Sequence, residues 1–127
     1  MKLSEKQQLF AKNIGLFLIW IFEQPGYSVT LGEALRTEDQ QLLYFEGKTL
    51  TKTGTAVHLV SASRKSKTMK SKHMKKMAID LNLFIDGTYQ TGKEAYKPLA
   101  DYWKCLNPKN VAGYDWGWDA SHFEMES

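Results

Sequence analysis

An alternating stretch in the second half of the chain limits the folds that this sequence can adopt. Between Ala78 and Asp86, apolar side chains occupy every second position: Ile79, Leu81, Leu83 and Ile85. A β-strand places such residues on one face, which predicts a strand packed against a core. Asp80 falls on the opposite face, where a rigid strand would hold its carboxylate outside the core.

Two helices should accompany this strand. Residues Ser4 to Phe22 repeat apolar side chains at helical spacing, and Ser4 and Gln7 have the spacing of a capping box. A later helix should open with a second such pair, Thr91 and Glu94. Its apolar face would consist of Tyr96, Leu99, Trp103 and Leu106.

A short helix is predicted directly after Arg36. Thr37 and Gln40 have capping-box spacing, and Gly47 provides a typical C-terminal stop. Alternation from Tyr27 predicts a strand just before this helix, running towards residue 35. Arg36 should therefore lie at a junction between a strand and a helix.

Size and composition complete the prediction of the fold class. The chain has 127 residues, of which 43% are hydrophobic, enough for one domain with a core. Its single cysteine, Cys105, cannot form an internal bridge and is expected as a small buried side chain. Residues 56–62 add a further strand. We predict one α+β domain over residues 1–127, with an antiparallel sheet and flanking helices.

Positive charge is concentrated in one segment. From Arg64 to Lys76 there are seven basic residues and no acid; subtracting these seven charges from the net charge of +3 leaves −4 for the rest. The segment is predicted to be a long loop. It could bind nucleic acid, an anionic membrane surface or an anionic bacterial envelope, and it is also typical of a solvated loop.

Histidine and carboxylate residues cluster at two places in the chain. His73 precedes the strand that carries Asp80, and Asp119, His122 and Glu124 follow near the C-terminus. A catalytic zinc ion takes three protein ligands and leaves its fourth position to water. His73, Asp80 and His122 could supply that set, but spacing alone fits unrelated surface residues equally well.

Three segments, taken in order, resemble one family of zinc peptidases. The segment SKHMKKMAIDLN resembles its SxHxxGxAxD signature at Ser71, His73, Ala78 and Asp80. The segment WGWDASHFE resembles its second signature at Asp119, His122, Phe123 and Glu124. Upstream, LRTEDQQLLYFEGK is similar at Arg36, Gln40, Leu43, Tyr44 and Gly47. The family comprises zinc D-alanyl-D-alanine carboxypeptidases and L-alanyl-D-glutamate endopeptidases, shares a fold with hedgehog domains and includes many phage endolysins.

The resemblance implies a role for each matched residue. His73, Asp80 and His122 would bind zinc, and Asp119 would act as the general base. Arg36 would stabilise the oxyanion or hold a substrate carboxylate, and Ser71 would bind substrate. Glu124 is expected to support a ligand rather than to react. Aromatic residues expected either in the substrate groove or in the core are Trp103, Tyr114, Trp116 and Trp118.

Two positions depart from the family pattern. The glycine between the first two ligands is Lys76 here, which requires a backbone conformation open to a residue with a Cβ, or a shifted loop. The acid before the last histidine is Asp119, where many members have glutamate. Its shorter side chain must come closer to the reacting water.

The function expected from this resemblance is cleavage of the peptide stem of bacterial peptidoglycan by a zinc-dependent, phage-type endolysin acting between L-Ala and D-Glu. The alternatives are a D-Ala-D-Ala carboxypeptidase or dipeptidase, an inactive zinc-binding relative, and a basic module that binds nucleic acid. We expect a monomer with no separate wall-binding domain and no nucleic-acid partner.

Its location follows from two further features. The first residues, MKLSEKQQ, lack the layout of a signal peptide, and the longest apolar run, residues 14–22, falls short of the roughly 20 residues that span a bilayer. We therefore expect no transmembrane segment. The protein should accumulate in the cytoplasm of an infected bacterium until a holin-like route releases it to the cell wall.

Overall fold

The computed structural model describes residues 1–126, which contain a long N-terminal helix and an antiparallel sheet. These residues form three α-helices and seven strands. In chain order the elements are α1 (Leu3–Glu23), β1 (Tyr27–Leu31), α2 (Glu38–Glu46), β2 (Lys48–Thr53), β3 (Ala56–Ser61), β4 (Ala78–Ile85), β5 (Thr88–Tyr89), α3 (Lys97–Leu106), β6 (Asn110–Ala112) and β7 (His122–Met125). Short 3₁₀ turns occupy Lys72–Lys75, Lys93–Tyr96 and Gly113–Trp116.

The alternating strand lies inside the main sheet, as its pattern predicts. Strand β4 pairs with β1 and with β7, β6 follows β7, and the short β5 also pairs with β4, all antiparallel. The side chains of Ile79, Leu81 and Leu83 are buried, whereas Asp80 is only partly buried. The predicted α+β domain with an antiparallel sheet and flanking helices is confirmed.

The core fills the space between this sheet and the two long helices. Phe17 of α1 lies at its centre, with its ring centroid 4.9 Å from that of Phe123 on β7 and 5.3 Å from that of Trp103 on α3. All three side chains are fully buried. Aromatic side chains bury large apolar areas, so this cluster fixes both helices on one face of the sheet.

Strands β2 and β3 form a separate hairpin that leaves all of its residues exposed. The predicted strand at residues 56–62 is confirmed as β3 (Ala56–Ser61), but its partner β2 was not predicted. The sequence of β2, KTLTKT, has a single large apolar residue and therefore no burial pattern. Across residues 1–126 we find no helix with the length and apolarity that a membrane crossing requires.

One of the three predicted helix starts is confirmed. The Thr37 hydroxyl accepts a hydrogen bond from the Gln40 N–H (3.2 Å), and α2 ends at Gly47 in the left-handed region. The helix predicted from Ser4 to Phe22 is confirmed as α1, but its capping box is wrong: the Lys2 N–H donates to Glu5 Oε2 (2.7 Å) at the helix start, and the Gln7 side chain donates to the carbonyl of Lys75 (2.8 Å) instead.

The other corrections concern α3. The predicted start at Thr91 is wrong, because a 3₁₀ turn intervenes and the α-helix begins at Lys97. Glu94 does not cap this helix but accepts a hydrogen bond from the Tyr114 hydroxyl (3.0 Å). Cys105 is exposed on α3 rather than buried.

Lys76 adopts the conformation that suits the glycine it replaces in the family pattern. It caps the turn Lys72–Lys75 in the left-handed region, with φ 58° and ψ 37°. Its backbone N–H bonds the carbonyl of His73 (3.3 Å), which closes the turn. A residue with a Cβ therefore closes this turn, in a conformation that a Cβ disfavours.

We expect Lys76→Gly to stabilise the protein by up to about 1 kcal/mol, because glycine enters the left-handed region without steric cost. The free energy of unfolding in urea measures the effect. Lys75→Gly is the matched control: it removes the same side chain from the preceding, right-handed turn and should destabilise. Equal losses for both variants would contradict the strain at Lys76.

Candidate metal centre

Three predicted ligands converge on the face of the sheet opposite the core. Asp80 on β4 and His122 on β7 are directly paired in the antiparallel register, so their side chains lie side by side. His73 reaches them from the turn that precedes β4. Asp80 Oδ1 lies 3.4 Å from His73 Nε2 and 3.3 Å from His122 Nδ1. One ligand atom from each residue lies within 4.8 Å of the other two.

The second nitrogen of each imidazole is held by an acceptor. His73 Nδ1 donates to the carbonyl of Ala34 (3.1 Å), and His122 Nε2 lies 2.7 Å from Glu124 Oε1. Each ring thereby directs its remaining nitrogen towards Asp80. Such contacts fix the orientation and tautomer of metal-binding histidines. Glu124 therefore orients the His122 ring, which agrees with the supporting role expected from the sequence.

The residues present fit a bound cation. Within residues 1–126, Asp80 Oδ1 is buried, and the two imidazole nitrogens 3.3 and 3.4 Å from it make only weak, poorly aligned contacts, which is costly for a buried acceptor. A cation between this oxygen and the two imidazole nitrogens would satisfy it. Two histidines and one carboxylate are a typical ligand set for catalytic zinc, with a fourth position left for water.

The protonation states of the ligands follow from their contacts. Burial acts to raise the pKa of Asp80, but hydrogen bonds and charge from His122 and His73 outweigh it and hold the pKa well below its usual range. Burial opposes a charge on His122, yet its bonds to Asp80 and Glu124 raise the pKa of His122 to about 9. At neutral pH the metal-free site therefore holds an ionised carboxylate and a protonated His122.

Zinc affinity should rise with pH. A metal needs the neutral ring of His122, so binding must displace the proton held with a pKa of about 9. The same proton stabilises the metal-free fold fully below pH 6.5, and this stabilisation is lost as the pH rises through about 9. We expect the apparent affinity to increase by about tenfold per pH unit between pH 6.5 and 8.

Calorimetric titration with zinc in buffers of different ionisation enthalpy measures both the affinity and the released proton. Asp80→Asn should abolish binding, whereas Asp101→Asn, the same change on the exposed surface of α3, should leave it unchanged. An affinity that does not vary with pH would contradict the proton held on His122.

Glu124→Gln should lower zinc affinity by about tenfold while leaving the fold intact, because the amide is a weaker acceptor for His122 Nε2. Competition with a chromogenic chelator measures the change. Glu126→Gln is a control for the loss of one negative charge from the same end of the chain. If the two variants bind zinc equally well, Glu124 does not tune His122.

Asp119 lies beside the ligands without joining them. Its Oδ2 is 3.8 Å from His122 Nδ1. Burial raises the pKa of Asp119, and the charges of His122 and Arg64 are among those that partly offset the rise. Gly113 allows this close packing, since a Cβ there would collide with the Asp119 carbonyl oxygen and lie 2.9 Å from His122 Cβ. Asp119 is thus a partly desolvated carboxylate suited to accept a proton.

Arg36 is buried and already paired. Its guanidinium binds Glu33 through Nε and NH2, and its NH1 donates to Gln41 Oε1 (2.7 Å). NH1 also lies 3.4 Å from Ser71 Oγ. Ser71 in turn accepts the backbone N–H of His73 (3.2 Å), so it caps the turn that carries a ligand. Both residues line the groove beside the ligands.

Sequence reasoning missed two residues that organise this region. Gln41 is fully buried and donates to Ser66 Oγ (3.0 Å) and to the carbonyl of Thr68. These bonds attach α2 to the positively charged segment from Arg64 to Lys76, called the basic loop below. Glu33 balances the charge of Arg36. Gln41 follows Gln40, the glutamine matched to the family segment, and only the helical phase of α2 could have identified it.

A groove of about 700 Å³ runs past the ligands. Residues of the basic loop (positions 64–76) line it together with Trp116 and Trp118. The Trp116 ring centroid is 5.1 Å from that of His122, and the Lys67 ammonium lies 5.0 Å from the Trp118 ring centroid. Trp103, in contrast, belongs to the core. The groove therefore combines positive charge with aromatic surface next to the candidate metal centre.

This fold occurs in a known peptidase. The crystal structure of the L-Ala D-Glu endopeptidase ChiX from Serratia marcescens is similar with a TM-score of 0.64, over 97% of this chain and 85% of that one, at 17% sequence identity. At this level of identity the likeness shows the fold. No protein-family model matches the chain, and no curated protein sequence matches it.

Proposed function

We propose that the protein is a zinc peptidase that cuts the peptide stem of bacterial peptidoglycan between L-Ala and D-Glu. The observation that carries this proposal is the convergence of His73, Asp80 and His122 beside the carboxylate of Asp119, in a groove of about 700 Å³. The fold shared with an L-Ala D-Glu endopeptidase supports it. So do the sequence segments that resemble the same family.

The chain's own residues supply most of the chemistry. His73, Asp80 and His122 would hold the metal, and bound zinc would lower the pKa of a water molecule to about 7 and polarise the scissile carbonyl. Asp119 takes the proton from the attacking water and passes it to the leaving amine. Its partly buried position raises its pKa and so strengthens it as a base.

Arg36 and Ser71 have supporting places in this proposal. Arg36 lines the groove, and its permanent charge would stabilise the oxyanion that develops on the scissile carbonyl. Its pairing with Glu33 and Gln41 keeps the guanidinium in one orientation. Ser71 holds the turn of His73 and would contact the substrate from the groove wall.

The biological setting is a further part of the proposal. Phe123 and Glu124 follow the last ligand as in the endolysin branch of the family that the sequence resembles. We therefore propose a phage-type endolysin that accumulates in the cytoplasm of an infected bacterium and reaches the wall by a holin-like route. Coexpression with a holin tests this role, since lysis should depend on both proteins.

The decisive experiment incubates purified cell walls with the zinc-loaded protein and determines the masses of the products. Asp119→Asn should reduce the cleavage rate by at least about a hundredfold and keep zinc, because it removes the base and no ligand. Asp115→Asn, the same change in the neighbouring turn, should keep full activity.

Each outcome identifies one function. Fragments that begin with D-Glu support the endopeptidase, whereas release of D-Ala alone identifies a carboxypeptidase. Zinc binding without any cleavage would indicate an inactive relative and overturn the proposal. Chelator treatment followed by zinc should remove and restore activity.

A further inference from the structure

Two guanidinium groups that line the groove share one carboxylate. Arg36 binds Glu33 directly, and Arg64 NH2 lies 4.0 Å from the same oxygen, Oε1. The Tyr44 hydroxyl joins them: it donates to Glu33 Oε2 (3.2 Å) and accepts from Arg64 NH1 (3.3 Å). We call these four residues the two-arginine cluster. It carries two positive charges against one negative charge.

The two arginines differ in their exposure and in how many of their guanidinium donors are already engaged. Arg36 is only 7% exposed, and Glu33 and Gln41 engage its guanidinium on several sides. Arg64 is 54% exposed, and its contacts with Glu33 and Tyr44 are long. Glu33 therefore pairs chiefly with Arg36, and Arg64 is the guanidinium that is more open to a further group.

Arg64 is nevertheless held in place. Its guanidinium lies 4.1 Å above the centroid of the Tyr44 ring, over which Arg36 also lies, at 4.8 Å. Stacking on an aromatic ring restrains an arginine and leaves the edge of its planar fork free for a carboxylate. The lysines of the same loop, by comparison, are flexible point charges.

The position of Arg64 relates it to the reaction. Arg64, Tyr44 and Arg36 line the same groove as the candidate ligands. Arg64 is also close enough to Asp119 for its charge to act on that carboxylate. A group bound to Arg64 would therefore lie in the same groove as the amine that Asp119 protonates.

Both candidate substrates, the stem cut before D-Glu and the stem cut before a terminal D-Ala, carry a carboxylate on the α-carbon next to the scissile nitrogen. In the stem, D-Glu is linked onward through its side chain, so the α-carbon next to the scissile nitrogen bears a free carboxylate. A terminal D-Ala bears its carboxylate on the equivalent carbon. The shared chemistry is an α-carboxylate on the residue that leaves with the amine.

We propose that Arg64, positioned by Tyr44 and Glu33, binds the α-carboxylate of the residue on the amine side of the scissile bond. This subsite rests on the proposed function for the source of the carboxylate. Its selectivity for a carboxylate over the corresponding amide can be measured without catalysis.

The test is a titration followed by NMR chemical shifts, with zinc-loaded protein and γ-D-glutamyl-L-lysine amide as the probe. The α-amide of the same peptide is the matched ligand. We expect the carboxylate to bind about fivefold to tenfold more tightly than the α-amide, since an exposed charge-assisted bond is partly screened by water. High salt should reduce this preference.

Variants assign the preference to one side chain. Arg64→Gln should reduce it to less than about twofold, and Arg64→Lys should give an intermediate value because lysine lacks the planar fork. Lys52→Gln removes the same charge from the exposed hairpin and should leave the preference unchanged. An undiminished preference in Arg64→Gln, or none in the wild-type protein, would overturn the subsite.

Cleavage kinetics show whether the bound carboxylate belongs to D-Glu or to a terminal D-Ala. They also separate the proposed subsite from the proposed peptidase activity. Stems with D-Glu are compared with stems carrying its α-amide, and peptides ending in D-Ala-D-Ala with their C-terminal amides. For whichever free-acid substrate is cleaved, Arg64→Gln should raise KM and leave kcat nearly unchanged. The kinetic constants for the corresponding amide should hardly change. If the wild-type protein cleaves none of them, the proposed function fails, and the binding titration still decides the subsite.

Discussion

The pairing of β4 with β7 is the constraint on which the candidate site depends. Antiparallel register places Asp80 directly opposite His122, and a slip of either strand by one residue would turn its own side chain of this pair towards the core. The apolar residues that alternate with Asp80 make such a slip costly, because it would expose them. Burial of the core thus fixes two candidate ligands, and only the third, His73, must be supplied by a loop.

That loop is held by several small contacts rather than by a core of its own. Ser71 caps the turn of His73, Lys76 closes it in the left-handed region, and Gln7 of α1 binds the carbonyl of Lys75. The poorly satisfied, buried oxygen of Asp80 and the raised pKa of His122 show what this arrangement costs without a metal. Polar groups that a fold leaves unsatisfied are characteristic of functional sites.

The sequence predicts the parts of the molecule that depend on local patterns. Alternation in β4 and the cap at Thr37 are read directly from neighbouring residues, and resemblance supplies the three ligands. Glu33 and Gln41 escape such reasoning because their partners lie in other segments of the chain. The exposed β2 strand likewise has no apolar pattern to mark it. Contacts distant in sequence become visible only when the fold brings them together.

Contacts between residues distant in sequence also determine where the basic loop lies. Gln41 binds Ser66 and the carbonyl of Thr68, while Arg64 stacks on Tyr44 of the same helix, so α2 fixes the loop against the groove. The positive charge therefore lies beside the candidate ligands and not on a separate face. A groove with fixed positive charge concentrates anionic substrates near its catalytic groups. The positive charge and the candidate metal centre thus form one continuous surface.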